Sequence, residues 1–172
     1  LEHIPALAEC GIVSLKVEGR MKSEFYVATV ANAYRHAIDE YLQTGKIENA
    51  AKYNADLETV AHRTYTDAYF EGDNLDTVCL DEGQSPEKYI FTAVVQNVED
   101  GIVTVEMRNR FKSGETLFVL SPDQNDGKSF TLGAITHTSD NTLTDDAKLV
   151  QHSYSFACPL NLKSGDILLK ES

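Results

Sequence analysis

The chain has 172 residues, 42% hydrophobic and 24% charged, the balance of a globular protein large enough for one medium domain or two small ones. No apolar run approaches the roughly 18 residues that cross a bilayer, and no basic, apolar leader opens the sequence. The net charge of −12 is split as −9 over residues 1–87 and −3 over 88–172, which excludes the broad basic field of sequence-independent nucleic-acid binding.

In chain order, Glu2 to Glu9 place Ile4, Leu7 and Ala8 on one helical face, and Gly11 fits the position just past the helix end. Ile12 to Glu18 alternate with period 2, so a strand is predicted. Val13, Leu15 and Val17 form one face and Ser14, Lys16 and Glu18 the other. A second helix is predicted from Ser23 to Thr44, with Val27, Val30, Tyr34, Ala37 and Tyr41 on its apolar side and Gly45 after it. A weaker third helix begins near Asn54 and uses Leu57, Val60 and Ala61. Helix, strand, long helix is the rhythm of an α/β unit, and a parallel strand needs neighbours on both sides. Residues 1–70 are therefore expected to be the end of a βα (TIM-like) barrel, and the whole chain a fragment that starts inside a helix at Leu1.

Residues 71–87 hold six acidic side chains and no basic one, interrupted by Gly72, Gly83 and Pro86. This segment reads as an acidic linker. From residue 88 the pattern is all-β. Strands are predicted at Tyr89–Gln96, Ile102–Met107, Thr116–Leu120, Ser129–Ile135, Ser153–Ala157 and Asp166–Lys170, with Glu99-Asp100-Gly101 as the first hairpin turn. Phe111-Lys112-Ser113-Gly114-Glu115 and Leu162-Lys163-Ser164-Gly165-Asp166 echo each other, each launching a strand. Six short strands in this length predict a small closed barrel, because closure removes exposed edges. The fold class is thus an α+β fragment: βα-barrel end, linker, small all-β barrel.

The chemistry concentrates in two places. At the end of the first predicted strand, Lys16 and Glu18 would face a barrel lumen, with Arg20 and Lys22 at its rim, where βα-barrels carry their functional groups. The plainer reading is a structural Lys–Glu pair. Arg108 and Arg110 flank Asn109 and could grip a phosphate or carboxylate; the plainer reading pairs them with nearby acids. His62-Arg63-Thr64-Tyr65-Thr66 reads as a helix end with satisfied polar groups. His3, His36, His137 and His152 are scattered, and Cys10, Cys79 and Cys158 show no CxxC spacing. No metal set, disulfide framework, nucleophile elbow or phosphate loop is indicated, so no complete catalytic set is expected in this chain. Reduced thiols and the absence of a leader predict a cytoplasmic protein without membrane contact.

The stretch Ser14-Leu15-Lys16-Val17-Glu18-Gly19-Arg20-Met21-Lys22-Ser23, with Tyr26 to Val30 and Ala33-Tyr34-Arg35, resembles a signature of the collagenase-like peptidases, peptidase family U32. His62 to Thr66 sits where members carry an Arg-aromatic-Thr segment. Arg108-Asn109-Arg110-Phe111 with Gly114-Glu115, and Gly165-Asp166-Ile167-Leu168, are also family-like. Members have Gly before the aromatic residue where this chain has Ala68-Tyr69. The resemblance implies a βα-barrel catalytic domain followed by a small barrel similar to domain II of translation elongation factors. It also implies two activities: proteolysis of collagen-like chains, or oxygen-independent hydroxylation of the tRNA wobble uridine and related substrates. The hydroxylases hold an iron–sulfur cluster on upstream cysteines, which Cys10, Cys79 and Cys158 do not match. The chain is accordingly expected to act with the missing N-terminal part of its parent, which would meet tRNA or a peptide substrate. The alternative is a non-catalytic packing module.

Overall fold

In a computed structural model that describes residues 1–67, 69–70, 72, 83 and 85–172, the chain divides into two units, Leu1–Lys88 and Tyr89–Ser172. Most of the acidic segment, together with Ala68 and Cys79, lies outside the described residues.

The first unit is helical: α1 (Ile4–Glu9), α2 (Glu24–Thr44) and α3 (Ala50–Leu57). Gly11 follows α1 at φ 80° and Gly45 closes α2 at φ 76°, the left-handed conformation that glycine adopts without a Cβ penalty. Ser23 caps α2, its hydroxyl accepting the Tyr26 amide proton at 3.2 Å. Val30, Ala33 and Ala37 of α2 are buried with Tyr53 and Leu57 of α3 and Ile4 of α1. The third helix starts at Ala50, four residues before its predicted start, and ends at Leu57, so Val60 is buried from an irregular segment.

The predicted strand over Ile12–Glu18 is not formed: these residues carry no strand. A strand is defined by the ladder it makes with a neighbour, and no described residue pairs with this segment. Only Leu15 of the expected apolar face packs on the helices, whereas Val13 is 98% exposed.

The second unit is all-β. It contains β1 (Tyr89–Glu99), β2 (Ile102–Met107), β3 (Phe111–Lys112), β4 (Thr116–Leu120), β5 (Ser129–Thr131), β6 (Ile135–His137), β7 (Thr142–Thr144), β8 (Asp146–Ala147), β9 (Ser153–Ala157) and β10 (Ile167–Glu171). Asp100 at φ 49° and Gly101 at φ 77° form the two-residue hairpin turn between β1 and β2. The main antiparallel sheet runs β5-β4-β10-β1-β2-β9-β6-β7, with β3 and β8 as a separate ribbon. Pairing slips on β1 between Phe91 and Ala93 and again between Val95 and Asn97. Such bulges add twist, and the sheet curls into a barrel-like half-shell around Val103, Val105, Phe111, Leu117, Ile135 and Leu168.

The expected closed barrel is not formed, because β5 and β7 end the ladder without pairing to each other. The cause lies in the predicted Ser129–Ile135 strand. It breaks at Leu132-Gly133-Ala134, so that β5 follows β4 while β6 turns to β9 and β7. Each edge is only three residues long, which limits its exposed hydrogen-bonding row.

The two echoing segments adopt the same turn. Glu115 accepts the Lys112 amide at 2.8 Å, and Asp166 accepts the Lys163 amide at 2.8 Å. Gly114 and Gly165 stand at φ 85° and 95°. The strands they launch, β4 and β10, pair antiparallel.

The loop after β4 is pinned by Asp123, which meets Lys163 Nζ at 2.5 Å and accepts the Asn125 amide at 3.0 Å. The Lys163 contact first, then the Asn125 amide, depress its carboxyl to about 2. A carboxyl depressed on folding stabilises the native state above its unfolded value near ~3.9, and that stabilisation is lost as pH falls toward the folded value. Between about pH 4 and 2 the urea midpoint of Asp123→Asn should therefore fall less steeply than that of the unmodified chain. Parallel curves would show that the contact is absent in solution.

Candidate functional site

The segment from Leu15 to Glu18 borders a groove of about 710 Å³ within the helical unit, whose lining includes Leu15, Lys16, Glu18, Tyr26, Tyr34 and Tyr65, while Arg20 and Lys22 lie outside it. Tyr65 donates its hydroxyl to the Leu57 carbonyl at 2.9 Å and stacks on His62 at 4.2 Å between ring centroids. Burial, then the nearby Tyr26, Glu58 and Tyr34, push its hydroxyl up to about 12, so it remains a donor.

The sequence-predicted residues from Lys16 to Lys22 differ in their bonding. Lys16 Nζ lies 3.7 Å from Glu18 with both side chains exposed, a pair worth little by itself. The Arg20 amide donates to Glu18 at 3.2 Å, and Lys22 closes a turn onto the Gly19 carbonyl at 2.9 Å. A Cβ on Gly19 would stand 2.9 Å from a Val27 methyl, so any other residue there would force Val27 or the turn to shift. Lys22 is committed to structure: its ammonium donates to the Ala61 carbonyl at 3.1 Å and lies 4.9 Å from the Tyr26 ring centroid. Arg20 projects into solvent, and its guanidinium makes no ion pair among the described residues. His62 does not end a helix. It follows α3 in an irregular segment, with Nε2 3.0 Å from Glu58 and its backbone tied to Ser85.

In the β unit the two arginines are neutralised by neighbouring acids. Arg108 Nη2 lies 3.2 Å from Glu106, and Arg110 grips Asp146 through both Nε, at 2.8 Å, and Nη2, at 2.5 Å. The Asp146 contact raises Arg110 above the usual guanidinium value and lowers Asp146 below the carboxylate range. The amides of Arg108 and Asn109 both donate to the Thr92 carbonyl on the first bulge of β1, at 2.8 and 3.0 Å. Asn109 Nδ2 donates to Phe91 O at 2.7 Å. The cluster therefore anchors a strand end to the bulge.

Cys10 is exposed after α1, and Cys158 is half-buried after β9, where burial pushes its thiol up. Among the described residues no three His, Cys, Asp or Glu side chains gather as a metal set. No described helix is long and apolar enough to cross a membrane. Sequence reasoning missed the tyrosine-lined groove, because its rings come from α2 and from the segment after α3. It also missed the approach of His137 to His152.

Two family models match the chain, Peptidase family U32 over residues 1–78 and Peptidase family U32 C-terminal domain over 87–168. The chain is similar to tRNA hydroxylation protein P1 of Bacillus subtilis (strain 168), 36% identical over 127 residues, which are 72% of this chain and 30% of that protein. It is similar to a collagenase of Porphyromonas gingivalis, 32% identical over 76 residues, which are 44% of this chain and 21% of that protein. The chain thus spans less than a third of either relative. A crystal structure of the C-terminal domain of a Geobacillus thermoleovorans U32 peptidase aligns at TM-score 0.45 and 23% identity, covering 48% of this chain and 92% of that one.

Proposed function

Because the chain belongs to peptidase family U32, we propose that it is the C-terminal accessory region of a longer cytoplasmic enzyme that hydroxylates the wobble uridine of tRNA. The observation that carries this reading is the level of identity together with the reach of the similarity. The tRNA hydroxylation relative is 36% identical over 72% of the chain, against 29% over 70% for an uncharacterized protease of Methanocaldococcus jannaschii and 32% over 44% for the collagenase relative. In this reading the helical unit is the end of the catalytic βα-barrel, and Ile12–Glu18 becomes its last strand when the neighbouring strands are present. Arg20 then docks substrate at the rim, beside Lys16 and Glu18, while Lys22 positions the turn. The curled sheet acts as the small barrel that follows the catalytic domain, similar to domain II of elongation factors. It holds tRNA through Arg108 and Arg110, whose bonds to Glu106 and Asp146 must yield to phosphate. The iron–sulfur cluster sits on cysteines of the parent outside this chain.

The test uses the full-length parent. Nucleoside mass spectrometry of tRNA from a deletion strain should show hydroxylated wobble uridine restored by the whole gene and not by one truncated before Leu1. The purified parent should contain iron and sulfide and leave gelatin intact. Gelatin cleavage by the pure parent, abolished by a point substitution in it, would replace this reading with proteolysis.

A further inference from the structure

We propose that His137 and His152 form a chelating site for a late first-row divalent cation of the Ni²⁺ or Cu²⁺ type at the rim of the β unit. His137 ends β6 on the face that carries the buried Ile135, and its ring lies 5.1 Å from that of Tyr154 on β9. His152 stands just before β9. Gln151 at φ 64° and two backbone bonds, Met107 N to His152 O at 3.0 Å and His152 N to Leu149 O at 3.1 Å, hold it there. The result is that His137 Nε2 and His152 Nδ1 are 3.0 Å apart.

The other nitrogen of His137 is already engaged. Nδ1 lies 3.1 Å from Asp140 Oδ1 and 3.2 Å from Ser139 Oγ. Asp140 is itself held by Thr142, whose hydroxyl donates at 2.7 Å and amide at 3.2 Å. A carboxylate on one imidazole nitrogen fixes the tautomer and aims the lone pair of the other, the arrangement that backs metal-bound histidines. With metal–nitrogen bonds of ~2.0–2.1 Å, donors 3.0 Å apart subtend about 95° at the cation. That is near the right angle of octahedral and tetragonal ions and narrower than the tetrahedral angle that zinc prefers. The rings face each other with centroids 5.2 Å apart and planes at 22°, so the exposed His152 ring turns to share the cation with His137. Water fills the remaining positions, because no third protein ligand converges among the described residues.

Nickel chloride titrated into the intact chain, carrying His3→Ala to remove an imidazole near the N-terminus, tests the site by amide spectra and calorimetry. One equivalent should broaden the amides of 135–142 and 150–154 first. His152→Gln, at an exposed ring, should weaken binding at least tenfold while the spectrum stays dispersed. Asp140→Asn should weaken it by about tenfold through the lost backing bond. Unchanged affinity in His152→Gln, broadening centred elsewhere, or no binding below millimolar nickel would each overturn the assignment.

Discussion

Phe111→Ala should destabilise the β unit by about 3–5 kcal/mol, the range of buried Phe truncations. Phe111 is fully buried, and its ring meets those of Tyr154 and Phe156 edge-on at centroid distances of 5.8 and 6.3 Å. Its strand β3 has a single partner, Ala147 and Asp146 of β8, and the ring together with Ala147 links the small ribbon to the core of the main sheet. Against a typical domain stability of about 5–15 kcal/mol, a loss of this size removes a large share. Urea unfolding followed by tyrosine fluorescence measures it, with Phe111→Leu as a control expected to cost less than Phe111→Ala because it leaves a smaller cavity. The same loss is expected in residues 88–172 alone, since we propose that this region folds by itself. An Ala variant as stable as the unmodified chain would show that the ribbon is not packed on the core.

Arg20→Lys in the full-length parent should lower tRNA hydroxylation at least tenfold while leaving the melting temperature unchanged. The proposed docking role depends on the planar fork of the guanidinium, which a lysine ammonium does not reproduce. The stability side follows from the structure: Arg20 lies in a turn held by backbone bonds, and its side chain projects into solvent. Glu18→Gln separates the readings. The exposed Lys16–Glu18 contact is worth about 1 kcal/mol or less in this chain. In the parent, a closed lumen would raise that to about 3–5 kcal/mol. Full activity in Arg20→Lys would remove the residue from the site, and a lowered melting temperature in Glu18→Gln alone would make the pair structural.

The elements legible in the sequence are those whose physics is local. Ser23 and Gly45 bracket α2, and Asp100-Gly101 makes the first hairpin, because caps and left-handed turns depend on a few adjacent residues. Strand-like composition between turn residues identified β1, β2, β4 and β9 for the same reason, and the stretch around Glu18-Gly19-Arg20 carried the family resemblance. Period-2 alternation misread Ile12–Glu18. Period 2 marks a segment able to pair, and pairing needs a second strand that no described residue supplies. The three-residue or shorter strands β3, β7 and β8 carry too few residues for any period to register. Whether the sheet closes was likewise decided by tertiary structure, since Gly133 divides one apparent strand between two neighbours. The pairing of Arg110 with Asp146, and of His137 with His152, depends on the registers of β3, β8, β6 and β9. Register between residues tens of positions apart is set by how whole faces pack, and no window of adjacent residues contains that information.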